Sequence, residues 1–220
     1  MTYEKDAMKR LRRTVGAVGV TIVLMCFAAS SSSAGKVATA PPQAKPSADW
    51  VIAHAGPFVH ATLLHMSASG KRTTVDLGLL RAPTTLAGYS ALSQQELAQA
   101  HATDRARTTS SARSMKAVDG FYCSVVQDLS ANGGYWATAS AWIDCDSGVE
   151  INAEVTISSD SNGFENTSGD VYGSPSVFLY APAVCHPDNW SEEIAGIAWE
   201  AGSSDLNLSN FNGPHYLDCG

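Results

Sequence analysis

No lysine or arginine stands after Lys116, although the chain runs on to Gly220. From Asp119 onward the same stretch carries fifteen Asp or Glu. That absence argues against a nucleic-acid partner for the C-terminal half, because phosphates would meet carboxylates with no base to neutralise them. Closely spaced cysteine pairs are also missing: Cys123, Cys145, Cys185 and Cys219 lie 22, 40 and 34 positions apart, which excludes a zinc site of the C-x-x-C kind. Beyond Ala29 no apolar run approaches the roughly 20 residues that a helix needs to cross a bilayer, so no transmembrane helix is expected after the N-terminal segment. A nucleophile elbow is absent too, since "GYSAL" (Gly88 to Leu92) lacks its second glycine.

What is present at the N-terminus is the layout of an export signal. "KRLRR" (Lys9 to Arg13) precedes the apolar run Val15 to Ala29 and then small residues, with Ser32 and Ala34 suited to a cut before Gly35. Residues 1–34 are therefore set aside as a signal peptide. The following chain is expected outside the cytoplasm, where four cysteines read as two disulfides. Residues 35–49, rich in Pro, Ala and Lys, read as an extended tether.

Residues 50–102 predict a hairpin, with "FVHATLLHM" and "TTVDLGLL" flanking a Gly-containing turn, and a short helix from Ser93 to Ala102 capped by Ser93 and Glu96. Residues 103–118 are polar, small and cationic, the composition of a flexible linker open to proteases. Residues 35–118 are thus expected to form a weakly structured basic arm.

Residues 119–220 change to the grammar of strands. In "YWATASAWIDC" and "VEINAEVTIS" apolar and polar positions alternate strictly, the pattern of half-buried antiparallel strands. "CDSG" and "SDSNG" read as hairpin turns, and about six or seven short strands in some 100 residues point to an all-β, disulfide-stapled antiparallel sandwich. Antiparallel pairing of the first two strands favours Cys123 with Cys145, leaving Cys185 with Cys219.

Chemistry is sparse. His186 and His215 neighbour Cys185 and Cys219 and have Asp188 and Asp218 nearby, so His186, Asp188 and His215 are the candidates for acid–base work. "DSNGFENTSGD" (Asp160 to Asp170) is oxygen-rich, but Glu165 stands where a calcium-binding EF-hand needs glycine; it reads as an Asn-Gly turn, with Ca²⁺ a subordinate reading and no other cofactor or metal expected. His54, His60 and His65 are too poorly spaced on a strand to share one ion. Trp136 and Trp142 fall on one strand face opposite Ala137, Ala139 and Ala141. Either that face is core, with the alanines packed on a second layer, or it is an aromatic platform for a glycan or peptide. Asn166, Asn189 and Asn207 begin glycosylation sequons.

A net excess of carboxylates repels itself, and solution cations, calcium, a cationic or cell-envelope partner, or the protein's own basic arm can offset it. The reading is a non-enzymatic exported β-sandwich that binds or supports something outside the cell. The alternative is a secreted hydrolase or accessory domain, with the basic arm as a pro-segment released by cleavage between about Arg105 and Lys116.

Overall fold

Ile151, Ala153, Val155 and Ile157 are buried while Asn152, Glu154, Thr156 and Ser158 between them are half-buried, so the period-two pattern becomes a strand with one face in a core. The computed structural model describes residues 44–110, 120–132 and 135–219. The expected signal segment, the tether as far as residue 43, positions 111–118 of the expected linker and Asp119 lie outside them. In chain order the elements are α1 (Ala48–Ala53), β1 (Phe58–Ser67), β2 (Arg72–Arg81), α2 (Leu86–Ser110), β3 (Gly120–Asn132), β4 (Trp136–Cys145), β5 (Glu150–Ser159), β6 (Gly163–Thr167), β7 (Val171–Gly173), β8 (Ser176–Val184), β9 (Asp188–Trp199), β10 (Leu206–Asn207) and β11 (Asn210–Leu217).

Two antiparallel sheets face each other. One has the order β2-β1-β3-β4-β8; the other runs β10-β9-β5-β6, with β11 also on β9 and β7 also on β5. Between them lies the main core, where Leu64, Phe121, Val125, Ala137, Ala139, Ala141 and Ile143 of the first sheet meet Ile151, Val155, Ile157, Trp190 and Ile194 of the second. The all-β, disulfide-stapled sandwich read from the sequence is the observed fold.

Both disulfides join the expected cysteines. Cys123 and Cys145 stand directly opposite in the β3–β4 register, with Cα atoms 4.0 Å apart. Cys185–Cys219 ties the residue after β8, in the first sheet, to the residues after β11, in the second.

Four local expectations are corrected. "CDSG" is not a hairpin turn, because β3 and β8 already occupy both edges of β4, so β5 has no edge there and the chain crosses to the other sheet. The helix begins seven residues before the expected Ser93 cap. Thr85 caps it instead, its hydroxyl accepting the Gly88 N–H at 3.1 Å, and Ser93 is buried within the helix.

The helix also runs through 103–110, which read as linker. Leu97 and Ala100 pack on Leu63 and Tyr122, and the Asp104 carboxylate accepts the Tyr122 hydroxyl, so tertiary contacts hold turns of weak intrinsic propensity. Finally, the hairpin is not part of a loose arm. β1 pairs with β3 from His60↔Gln127 to Ser67↔Gly120, which places the basic segment inside the same sheet as the acidic one. The charge boundary is one of composition, not of fold.

Helix α2 covers the outer face of the first sheet. Tyr89 and Ile52 pack with Val59, Ala61 and Val126, and Trp142 and Phe178 join the edge of that cluster. A protein of residues 119–220 alone would therefore lack β1, one of the two partners of β3, and the cover of Trp142. We expect it to show no cooperative thermal transition by circular dichroism, while 44–220 melts in one step; a cooperative melt of the shorter chain refutes this.

Asp128, Asp144 and Glu192 are the buried carboxyls among the described residues. Asp128 accepts the Gly56 N–H at 3.1 Å and the Ser130 hydroxyl at 2.8 Å, yet burial pushes its pKa up to about 6. Glu192, fully buried between the sheets, accepts from the Asn212 amide at 3.2 Å, and burial again raises it well above the carboxylate range. Raised acids bind protons on folding, so their stabilisation is complete below the unfolded value and is lost as pH rises through the folded one. For Asp128 that window runs from 3.8 to about 6. We expect the melting temperature to fall between pH 4 and 7, with Asp128 contributing on the order of 3 kcal/mol. Asp128→Asn should flatten that slope, and an unchanged slope would exclude Asp128 as its source.

Candidate functional site

The turn between β5 and β6 and the entry to β9 bring two of the three acid–base candidates together. Asp188 Oδ2 accepts from the Ser161 hydroxyl at 2.6 Å and from the Ser161 N–H at 2.9 Å. His186 Nε2 lies 3.3 Å from the Ser161 hydroxyl and 3.5 Å from Asp188. Glu165 closes the other side, 4.0 Å from His186, and accepts from Ser159 and the Asn162 amide at 2.8 Å each. Hydrogen bonding to Ser161, chiefly through its hydroxyl, holds the Asp188 carboxyl down at about 2. His215 is elsewhere in its bonding, its Nε2 2.9 Å from the Asn212 amide oxygen on its own strand.

Serine, histidine and aspartate in one cluster invite comparison with a hydrolytic relay. There the imidazole takes the hydroxyl proton at one nitrogen and leans on the carboxylate through the other. Here the carboxylate takes the hydroxyl directly, and the second imidazole nitrogen, Nδ1, faces the Val184 carbonyl at 3.4 Å. A carboxyl titrating near 2 is a weak base. The arrangement works as a clamp on the turn: Trp190, fully buried below, donates its indole N–H to the His186 carbonyl at 3.1 Å.

The calcium-like segment supplies this clamp. Asp160 accepts from the Asn189 amide at 3.0 Å, and among the described residues no group of three or more His, Cys, Asp or Glu is arranged to hold a metal ion. The three early histidines are separate: His54 stacks on Trp50, His60 lies 2.9 Å from Asp76, and His65 stacks on Tyr122. Among the sequon residues, Asn166 is half-buried and donates to the Pro182 carbonyl at 2.6 Å.

Spacing in the sequence gave no sign of a second cluster, assembled across 81 positions by the packing of α2 on β1 and β3. His101 Nε2 is 2.7 Å from Asp146, whose other oxygen accepts the Tyr122 N–H at 2.8 Å. Tyr122 stacks on His65 and meets His101 edge-on. Burial lowers the pKa of His65 despite the nearby Asp104 and Asp146. This cluster seats the helix on the outer face of the first sheet, against Tyr122 and Asp146.

The outer face of the six-stranded sheet is the other exposed chemistry. On β9, Trp190, Glu192, Ile194 and Ala198 point inward, leaving Glu193, Ile197 and Trp199 outward. Cross-strand register places Trp199 beside Glu150, Phe211 beside Glu193, and both Ile197 and Tyr172 beside Asn152. Phe164 stands beside Ser158 on the same face. Tyr172 is 70% exposed, Phe164 65% and Phe211 55%.

Trp136, on the same β4 face as Trp142, is half-buried and meets Tyr135 edge-on. The alanines opposite the two tryptophans pack on the second sheet, and Trp142 is half-buried beneath the helix layer. Sequence alternation located the rings on faces but could not say which faces would be covered.

Neither protein-family models nor curated proteins nor solved structures match this chain.

The clamp makes its own prediction. A depressed carboxyl stabilises the fold above its unfolded value, and that contribution disappears as pH falls from 3.8 toward 2. Asp188→Asn should lower the melting temperature at pH 6 and lose less on acidification to pH 2.5 than the parent. A variant melting like the parent at both pH values shows that the clamp is not structural.

Proposed function

We propose that this protein is an exported, non-enzymatic binding module presented on a disulfide-stapled β-sandwich. The observation that carries the reading is the outer face of the six-stranded sheet, where Tyr172, Phe164 and Phe211 stand exposed beside polar and acidic neighbours. Single exposed apolar groups are ordinary on a protein surface, but several large rings sharing one sheet face are the composition of a contact surface. Export is supported by the N-terminal basic and apolar pattern and by two disulfides, which persist in oxidising compartments. No helix among the described residues is long and apolar enough to cross a membrane.

The second reading is a secreted hydrolase centred on Ser161, His186 and Asp188, favoured by their proximity. A panel of peptide, ester and glycan substrates separates the two. We expect no turnover above background, and any turnover abolished by both Ser161→Ala and His186→Ala establishes the hydrolase instead. Export has its own check, in the first residue of protein recovered from culture medium. Gly35 is expected; recovery only from the cytoplasm with residues 1–34 intact overturns it.

A further inference from the structure

Resting on the binding-module reading, we infer that the outer face of the six-stranded sheet receives an extended cationic polypeptide, its Lys or Arg side chains seated between carboxylates and rings. Strands β5 to β11 all lie after Lys116, so the whole sheet is free of lysine and arginine. Its outer carboxylates are interleaved with aromatic side chains. Glu150 is the cross-strand neighbour of Trp199 and Glu193 that of Phe211, and neighbours of this kind have Cβ atoms about 5 Å apart. Tyr172 stands beside Asn152, one outward position from Glu154 on β5.

A carboxylate next to a ring offers a cation two attractions at once, an ion pair and the electron-rich ring face. It also offers the alkyl stem of Lys or Arg an apolar surface. The ring half of that attraction occurs within the protein itself, where the Lys45 ammonium lies 5.9 Å from the Tyr180 ring centre.

Other occupants fit less well. Phosphate-bearing or otherwise anionic partners would be repelled by a sheet with no base. A second copy meeting face to face would set the same glutamates against each other, because a two-fold interface is self-complementary. A neutral glycan would use the rings but gain little from the charge.

Calorimetry on the full exported chain provides the test, with a (Lys-Ala)5 decapeptide as probe and (Glu-Ala)5 and a neutral glucan hexasaccharide as controls. We expect saturable binding of the basic peptide only, weakened about tenfold on raising NaCl from 50 to 500 mM. The pairs Glu150→Gln with Glu193→Gln, and Tyr172→Ala with Phe211→Ala, should each weaken it at least about fivefold while leaving the melting temperature in place. Failure of the basic peptide to bind, or binding indifferent to both pairs, overturns the assignment. Hexasaccharide binding lost with the ring pair but unaffected by the glutamate pair also overturns it, yet leaves the binding-module reading standing. Self-association abolished by the ring pair does the same in favour of a second copy. Turnover dependent on Ser161 and His186 is the separate result that removes the underlying reading.

Discussion

The ladder between β1 and β3 is the interaction on which the rest of the molecule depends. It runs over eight residue pairs from His60↔Gln127 to Ser67↔Gly120 and joins sequence neighbourhoods that differ in charge. Gly120 marks one end, with φ +129° and so little room that a Cβ there would lie 1.9 Å from the Met66 carbonyl oxygen. Through this ladder the hairpin becomes the edge of the first sheet and α2 is brought over its outer face. The Tyr122 ring, carried on β3, then receives His65 from β1 and His101 from α2. Without the ladder none of these groups would share a neighbourhood.

Between the sheets the core is not wholly apolar. Asn210 donates to Gln127 at 2.6 Å and to Thr62 at 3.1 Å, so the two sheets are also registered by amide hydrogen bonds, while Asn212 reaches Glu192 within the second sheet. Apolar packing alone is tolerant of sliding, whereas a buried polar group left unmatched costs about 1–3 kcal/mol. This seam therefore selects one alignment of β11 and β9 over β1 and β3. Glu192, beside Asn212 on β9, sits in an environment that favours the neutral form because burial penalises its charge.

Much of the fold was legible because period two is a local signal. Ile151 to Ile157 and Ala137 to Ile143 declared their buried faces without any tertiary information, and antiparallel order then made Cys123 with Cys145 the natural pair. What could not be read was where each strand would find its partner. Cys145 to Gly148 is short enough for a hairpin, and only the occupation of both β4 edges by β3 and β8 sends the chain across. The helix was foreshortened for a similar reason: its polar end is held by Tyr122, 18 positions away from Asp104. At the site, His186 and Asp188 were visible as neighbours of Cys185, but Ser161 lies 25 residues from His186 and was reached only through β5–β6 geometry. The aromatic rings of β6, β7 and β11 gave no pattern, since each strand contributes few.

Charge is distributed by layer in a way that folding alone does not require. The first sheet mixes the basic hairpin with acidic strands, while the second is built entirely from base-free sequence. Opposite charges placed directly across strands contribute roughly 0.2–1 kcal/mol each, so a lysine beside Glu150 or Glu193 would have been an ordinary gain. Those positions hold Trp199 and Phe211 instead. Two bases of the N-terminal segment that reach the later strands do so through neutral groups: Arg72 donates to the Ser209 carbonyl at 3.3 Å, and Lys45 lies over Tyr180. The inner face of the second sheet is thus accounted for by packing, whereas its outer face forgoes available stabilisation in favour of rings beside carboxylates. On the proposed reading, a cationic polypeptide from outside the chain is what completes that composition.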